Sequence, residues 1–332
     1  MKSFLSSLDS NTSNLHSIHN MTLFSIIIPH YDIPDLLMRC LKSIPVSEDI
    51  QVIVVDDNSP DADTYLERYP ELSRPYLEFI RTTKGGGAGY ARNVGLEHAK
   101  GKWLLFADSD DFCVDNMYDI ISAHVESDAD VIYFQKQAVY SDDINRKSPR
   151  DHFIDTIMDI YLKTGDELPV RTRYYVPWGK MIKKSLIEKH HIRFEEIWYS
   201  EDVLFSTYVG FYAKKIETID MVLYVVTYRE GSATADYCKK TDELRIRTDA
   251  AFRHDSFLFQ HNMIQEREMV SYIKRMLSQD RNLYKYYFTR LDGIYPSKLA
   301  ALKDISKGCS RRFKIKLYLY SFLIWISRCV VL

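Results

Sequence analysis

From Leu23 to about Tyr133 the chain repeats one pattern: a short β-branched run, a polar loop, then an amphipathic segment. The runs Phe24–Ile28, Gln51–Val55, Leu77–Ile80, Trp103–Phe106 and Val131–Phe134 are strand candidates. Their near-continuous apolar character is that of strands covered on both faces. Between them, Pro34–Ser43, Asp61–Tyr69, Gly89–Ala99 and Asp115–His124 carry helical spacing. Pro34 suits a first helical turn, where its missing donor does no harm. Such alternation predicts a mainly parallel α/β sheet with helices on both faces. Ligands on sheets of this kind bind at the carboxyl ends of the strands.

Four polar loops fall at those ends. Pro29-His30-Tyr31-Asp32 follows the first strand, Asp56-Asp57-Asn58-Ser59 the second, the stretch from Lys84 to Asn93 the third, and Asp108-Ser109-Asp110-Asp111 the fourth. In the last, an apolar run leads directly into three carboxylates, which repel one another unless a cation, a donor or water compensates. Asp108 and Asp110 would there address a divalent ion held against a phosphate, or the run is an Asp-rich turn capping the next helix. The glycines are not a dinucleotide fingerprint: Gly85, Gly87 and Gly89 do not complete G-x-G-x-x-G, and the first strand–helix turn has none. They fit either a flexible hairpin-like loop or a loop whose backbone approaches a ligand, followed by a helix N-terminus that favours anions. Arg92, in that first turn, opposes the helix dipole, a placement that an anion or a nearby carboxylate would justify. Asp56-Asp57 is good turn chemistry and also sets a carboxylate where a base or ribose would bind.

Further along, Phe153–Leu162 reads as helix, Tyr174–Lys180 and Ile216–Arg229 as strand, and the chain from about Lys239 as helical. Ser200 reads as an N-cap ahead of Glu201-Asp202 and a helix over Val203–Phe211, acids in the first turn being favoured by the dipole. Five scattered cysteines without a CxxC suit reduced thiols and speak against a zinc site or disulfide scaffold. A net charge of -2 gives no electrostatic case for nucleic acid.

In their order and spacing these motifs resemble the nucleotide-sugar-dependent glycosyltransferases of family 2, over about Phe24 to Thr234. Ser25–Tyr31 is similar to the family's opening strand and Pro-x-Tyr turn, Val54–Ser59 to its second-strand motif, and Ala91–Gly95 to its Ala-Arg-Asn helix start. Asp108–Asp111 resembles the Asp-x-Asp motif, and Glu201-Asp202 the Glu-Asp base motif. Tyr228–Thr234 resembles the late Arg-x-x-Ser-x-Thr loop. Trp178-Gly179-Lys180 resembles a Trp-Asn-Lys segment, with glycine in place of the usual asparagine.

Composition reads residues 1–22 as a disordered tail, and the residue pattern reads 236–332 as a helical region. The resemblance implies a GT-A (Rossmann-like) fold over residues 23–235. It implies an inverting glycosyltransferase taking a sugar from a nucleoside-diphosphate sugar to a glycan or lipid-linked acceptor. Asp202 would be the general base, and Asp110 with Asp108 would hold Mg²⁺ or Mn²⁺. Pro29, Tyr31, Asp56, Asp57, Gly87, Arg92, Asn93, Asp108, Ser109 and Arg229 would line the donor. Trp178, Lys180 and Glu201 would lie on the acceptor side. A sugar-nucleotide nucleotidyltransferase shares this metal logic but has a Gly-rich, Arg-bearing loop after strand one. A non-catalytic nucleotide-sugar-binding protein is the third reading, and the intact Asp110 and Asp202 count against it.

Two features lie at the ends. Residues 1–20 are rich in Ser and Asn, and Met21 is an alternative start. Near the C-terminus, Lys307, Arg311, Arg312, Lys314 and Lys316 precede the run Leu317–Ile326, which Arg328 then interrupts. A spanning helix needs roughly 20 apolar residues. A shorter run with a basic flank fits either an interfacial helix over residues 308–332, on the cytoplasmic face of a membrane, or a helix docked on the protein's own core.

Overall fold

A computed structural model of the chain describes residues 22–150, 152–229, 241–264 and 266–329. The expected tail, apart from Thr22, and the late loop beyond Arg229 lie outside the described residues. The chain divides into two compact units, Met1–Ser232 and Ala233–Leu332.

The first unit is built on one eight-stranded sheet in the order β3-β2-β1-β4-β7-β6-β8-β5. Its strands are β1 (Phe24–His30), β2 (Ile50–Asp56), β3 (Leu77–Arg81), β4 (Trp103–Phe106), β5 (Phe112–Cys113), β6 (Val131–Tyr140), β7 (Lys180–Lys183) and β8 (Ile216–Tyr228). β1 pairs in parallel with β2 and β4, β2 with β3, and β6 with β8. β7 runs antiparallel to both β4 and β6, and β5 antiparallel to β8. Six of the eight strands therefore share one direction, and the ends of β1, β2, β4, β6 and β8 meet on one edge. All seven residues of β1 and of β2 are buried, as expected for strands covered on both faces. The chain leaves β1 towards β2 on one side and returns to β4 on the other, which opens a ligand crevice between them.

The connecting helices are α1 (Pro34–Lys42), α2 (Tyr65–Arg68), α3 (Gly87–His98), α4 (Met117–Ala123), α5 (His152–Thr164), α6 (Leu168–Arg173), α7 (Lys184–His190) and α8 (Asp202–Tyr212). Pro34 does open α1. The first half of the helix expected at Asp61–Tyr69 is a 3-10 turn over Ala62–Thr64. The strand expected at Tyr174–Lys180 is instead an irregular segment, with β7 beginning only at Lys180. Its aromatic residues look like strand because they are buried: Tyr174 and Trp178 are core side chains, and Trp178 stacks on Tyr224 at 5.2 Å. Gly179 sits at φ +69°, and a Cβ there would come within 2.4 Å of the Tyr174 hydroxyl. That explains glycine at the position where the family carries asparagine, the side chain that best tolerates left-handed backbone.

The second unit packs α9 (Thr241–Gln260), α10 (Met269–Gln279), α11 (Arg281–Phe288), α12 (Lys298–Ile305) and α13 (Arg311–Cys329) around its own core of Tyr272, Met276, Tyr284, Tyr287, Leu291 and Leu317. Asp280 caps α11 through the Asn282 and Leu283 amides, both at 2.9 Å, and Ser297 caps α12. No described helix is long and apolar enough to cross a membrane.

Candidate active site

The β4 loop is fixed by bonds from β8. Asp111 is fully buried and accepts hydrogen bonds from the Thr227 amide (2.6 Å) and the Tyr224 hydroxyl (3.0 Å). The Tyr224 oxygen in turn accepts from the Asp108 amide (2.8 Å), and Thr227 Oγ1 donates to the Asp110 carbonyl (2.7 Å). Arg39, in the last turn of α1, donates to the same Asp110 carbonyl and to the Ser141 carbonyl beyond β6. Asp111 is thus structural. It holds the loop so that carboxylate oxygens of Asp108, Asp110 and Asp111 lie within 4.8 Å of one another.

With Asp111 committed, Asp108 and Asp110 are left half-buried with hard oxygen donors to offer. Burial, and then the charge of Asp108, lift the Asp110 carboxyl above its ordinary range, while Arg150 and Arg229 pull it back. Two anionic oxygens held this close, without full compensation from the chain, fit a hard divalent cation such as Mg²⁺ or Mn²⁺. Arg229 stands at the end of β8, its Nε buried with no partner among the described residues.

Arg92 joins this loop to a second acidic pair. It is 4% exposed, and its two terminal nitrogens reach Asp108 and Glu201, each at 2.8 Å. The expected place in a first helical turn does not hold, since α3 begins at Gly87 and sets Arg92 in its second turn; two carboxylates, not the helix dipole, account for its position. Their attraction, set against the burial that opposes it, holds the guanidinium above even its ordinary pKa. Asn93 is committed to the backbone of Phe194, donating to its carbonyl (3.0 Å) and accepting from its amide (2.9 Å). Both side chains clamp the segment 194–201 across the start of α3. Gly89 allows this crossing, since a Cβ there would lie 2.1 Å from the Glu195 carbonyl oxygen. The clamped segment delivers Glu201 and Asp202 to the site.

Asp202 opens α8, but the expected cap is absent: Ser200 sits at φ 61°, and the N-cap position is Glu201, with no side-chain cap bond. Burial, then the adjacent Glu201 charge, raise Asp202 to about 7, with Arg92 opposing. Lys180 lies beneath. It is 1% exposed and donates to the Tyr174 carbonyl (2.7 Å) and Ser206 Oγ (3.1 Å). Burial lowers it to about 7 against the pull of Asp202. Lys180 and Trp178, expected on the acceptor side, are thus core groups under the site. The exposed aromatic near Asp202 is Trp198, 67% exposed, whose ring would lie 3.5 Å from a Cβ on Gly87.

On the other side of the crevice, Asp56 is fully buried and holds its own turn, bonded to His30 Nδ1 (2.9 Å), the Ser59 amide (2.8 Å) and Ser59 Oγ (2.6 Å). Burial works against its charge, but the His30 and Ser59 bonds win and keep the carboxyl below its usual range. Asp57 accepts from the amides of Gly86 (2.9 Å) and Gly87 (2.7 Å), so it shapes the glycine loop. Burial outweighs these bonds and raises its pKa. Pro29 and Ser109 are buried in the crevice wall, and Tyr31 is exposed at its rim. The residues that sequence reasoning left unassigned are Arg39, Arg150, Trp198, Tyr224 and Thr227. Only Trp198 carried a signal, standing a few residues before the acidic pair.

The family model for glycosyl transferase family 2 matches residues 25–191. The chain belongs to that family and is a glycosyltransferase. The putative glycosyltransferase EpsH of Bacillus subtilis (strain 168) is 26% identical over 245 residues, 70% of this chain and 69% of EpsH. The poly(ribitol-phosphate) beta-glucosyltransferase of Bacillus spizizenii is 29% identical over 215 residues. That match covers 62% of this chain but only 32% of the relative. A crystal structure of Staphylococcus aureus TarS 1–349 with UDP-GlcNAc aligns with a TM-score of 0.58 at 22% identity, covering 92% of this chain and 91% of that one. This likeness shows the fold, GT-A.

Proposed function

We propose that the protein moves a sugar from a nucleoside-diphosphate sugar to a hydroxyl of a glycan or lipid-linked saccharide, inverting the anomeric carbon, in cell-surface polysaccharide synthesis. The observation that carries this reading is the Arg92 bridge, one buried guanidinium tying the Asp-x-Asp loop to the Glu201-Asp202 helix start. A site for the leaving group and a site for a base are thereby held as one unit. The relatives that glycosylate poly(ribitol phosphate) support a polymeric acceptor. Neighbouring folds solved with UDP-GlcNAc, or with GDP-Man and Mn²⁺, support the donor class and a divalent ion.

In this mechanism Asp202 takes the proton of the acceptor hydroxyl as its oxygen attacks the anomeric carbon on the face away from the diphosphate. The bond from that carbon to the phosphate oxygen breaks, and the nucleoside diphosphate leaves with the electron pair. A base near pKa 7 is substantially ionised at neutral pH and still basic enough to take the proton. Arg229 and Arg150 add positive charge on the Asp110 side, where the leaving group gains negative charge. A divalent ion held by Asp108 and Asp110 would supply Lewis-acid stabilisation of the departing diphosphate. Trp198 offers an exposed aromatic face to the apolar side of a sugar ring.

The test begins with a donor screen, followed by NMR of the product. Opposite anomeric configuration in donor and product is expected, and retention would overturn the single-base mechanism. Asp202→Asn should lower turnover by about 10²–10⁴ with donor binding unchanged. A fully active variant would remove Asp202 from its role.

A further inference from the structure

The helix α13 has two apolar faces, and the described residues cover only one of them. Leu317, Ser321 and Ile324 are buried in the core of the second unit, and Tyr284 bonds to Ser321 Oγ at 2.7 Å. On the opposite side Ile315, Leu319, Phe322, Leu323, Trp325 and Ile326 are 37–59% exposed. At 3.6 residues per turn, the outward apolar residues span an arc of roughly 160°. An isolated exposed side chain needs no explanation, but a continuous face of this kind does.

Charge identifies the occupant. Arg311 and Arg312 stand on that same arc in the first turn, while Lys314 and Lys316 lie along its two margins. None of the four forms an ion pair with a described residue. The sequence from Ile305 to Leu332 contains no acid at all. A second copy of the chain would bring the same cations to the surface and no acid of this segment to answer them. An apolar stripe flanked by unanswered cations, with Trp325 among the aliphatic residues, is complementary to a surface of anionic headgroups over hydrocarbon.

We infer that the outward face of α13 docks the protein on an anionic lipid surface, with the helix lying in the plane of the interface. The inward face keeps the helix folded on its unit, so the outer face is presented without local unfolding. This docking is independent of the transfer chemistry proposed above and is measured without it.

The experiment is co-sedimentation of the full chain with phosphatidylcholine vesicles, with and without phosphatidylglycerol. Binding is expected with the anionic vesicles, together with a blue shift of tryptophan emission and a loss of binding at high salt. Leu319→Glu/Phe322→Glu changes two exposed side chains and should reduce binding at least tenfold. Arg311→Gln/Arg312→Gln/Lys314→Gln should remove the preference for phosphatidylglycerol, and it keeps the proposal testable if the glutamates disturb folding. Equal binding to both vesicle types, or unchanged binding by either variant, overturns the proposal. So does a concentration-dependent dimer that Leu319→Glu/Phe322→Glu dissolves in a protein that ignores vesicles.

Discussion

Arg92 concentrates the chemistry of the site in one side chain. Removing one member of a buried, hydrogen-bonded charge network leaves the others uncompensated, at a cost of about 3–5 kcal/mol. Asp108 and Glu201 keep some access to water, their side chains being 23% and 15% exposed, which sets Arg92→Met at the lower end, about 3 kcal/mol by denaturant melts. Arg92→Lys retains the charge but not the fork, and should lower turnover more than stability. Asp202 gives a pH prediction. As the proposed base it would work only when ionised, and its pKa is raised to about 7, chiefly by burial and then by Glu201. Turnover should therefore be full above about 7 and fall as the pH drops through that value; a flat profile from about 5 to about 8 would exclude Asp202 as the base. The sequence pointed to an anion near Arg92, though by placing it in a first helical turn that in fact begins two residues earlier, at Gly87. It could not show that one partner stands 109 residues away.

At the scale of elements, the crossing of segment 194–201 over α3 depends on a missing side chain. Gly89→Ala sets a methyl against the Glu195 carbonyl, with Glu201 Cβ at 3.1 Å on the same side, so the loop must shift. Turnover is expected to drop tenfold or more with the sheet intact by circular dichroism; an active Gly89→Ala enzyme would mean that the crossing tolerates displacement. The helix α13 yields a paired test of its two faces. Leu317→Ala should cost about 2–4 kcal/mol, whereas Leu319→Ala should stay within about 0.5 kcal/mol, measured in thermal melts. β1, β2 and β4 were legible because strands buried on both faces leave unbroken apolar runs. β7 was not, since Lys180-Met181-Ile182-Lys183 is short and bounded by lysines, while the nearby aromatic side chains serve the core from an irregular backbone. Glu201-Asp202 was legible as a helix start, but the φ of Ser200 depends on the clamped loop before it.

For the whole molecule, a ligand that binds only the folded chain raises its stability by about 2.7 kcal/mol at a hundred times its Kd. A thermal-shift screen of UDP-, GDP- and dTDP-sugars with Mn²⁺ should identify the donor by this rise. A chelator, or Asp110→Ala, should cancel it; a shift that survives both would remove the metal from donor binding. The order of motifs along the first unit was visible in the sequence. The outward face of α13 was not, because a run apolar on nearly all sides does not say which residues its own unit will cover. Asp111 carries a last consequence. Its oxygens are held by Tyr224 and Thr227, 113 and 116 residues further along the chain. A nascent chain still lacking β8 already contains all three aspartates but not the bonds that arrange them. Contacts so distant in sequence close late in folding. The acidic loop should therefore take up its shape only after most of the first unit has been synthesised.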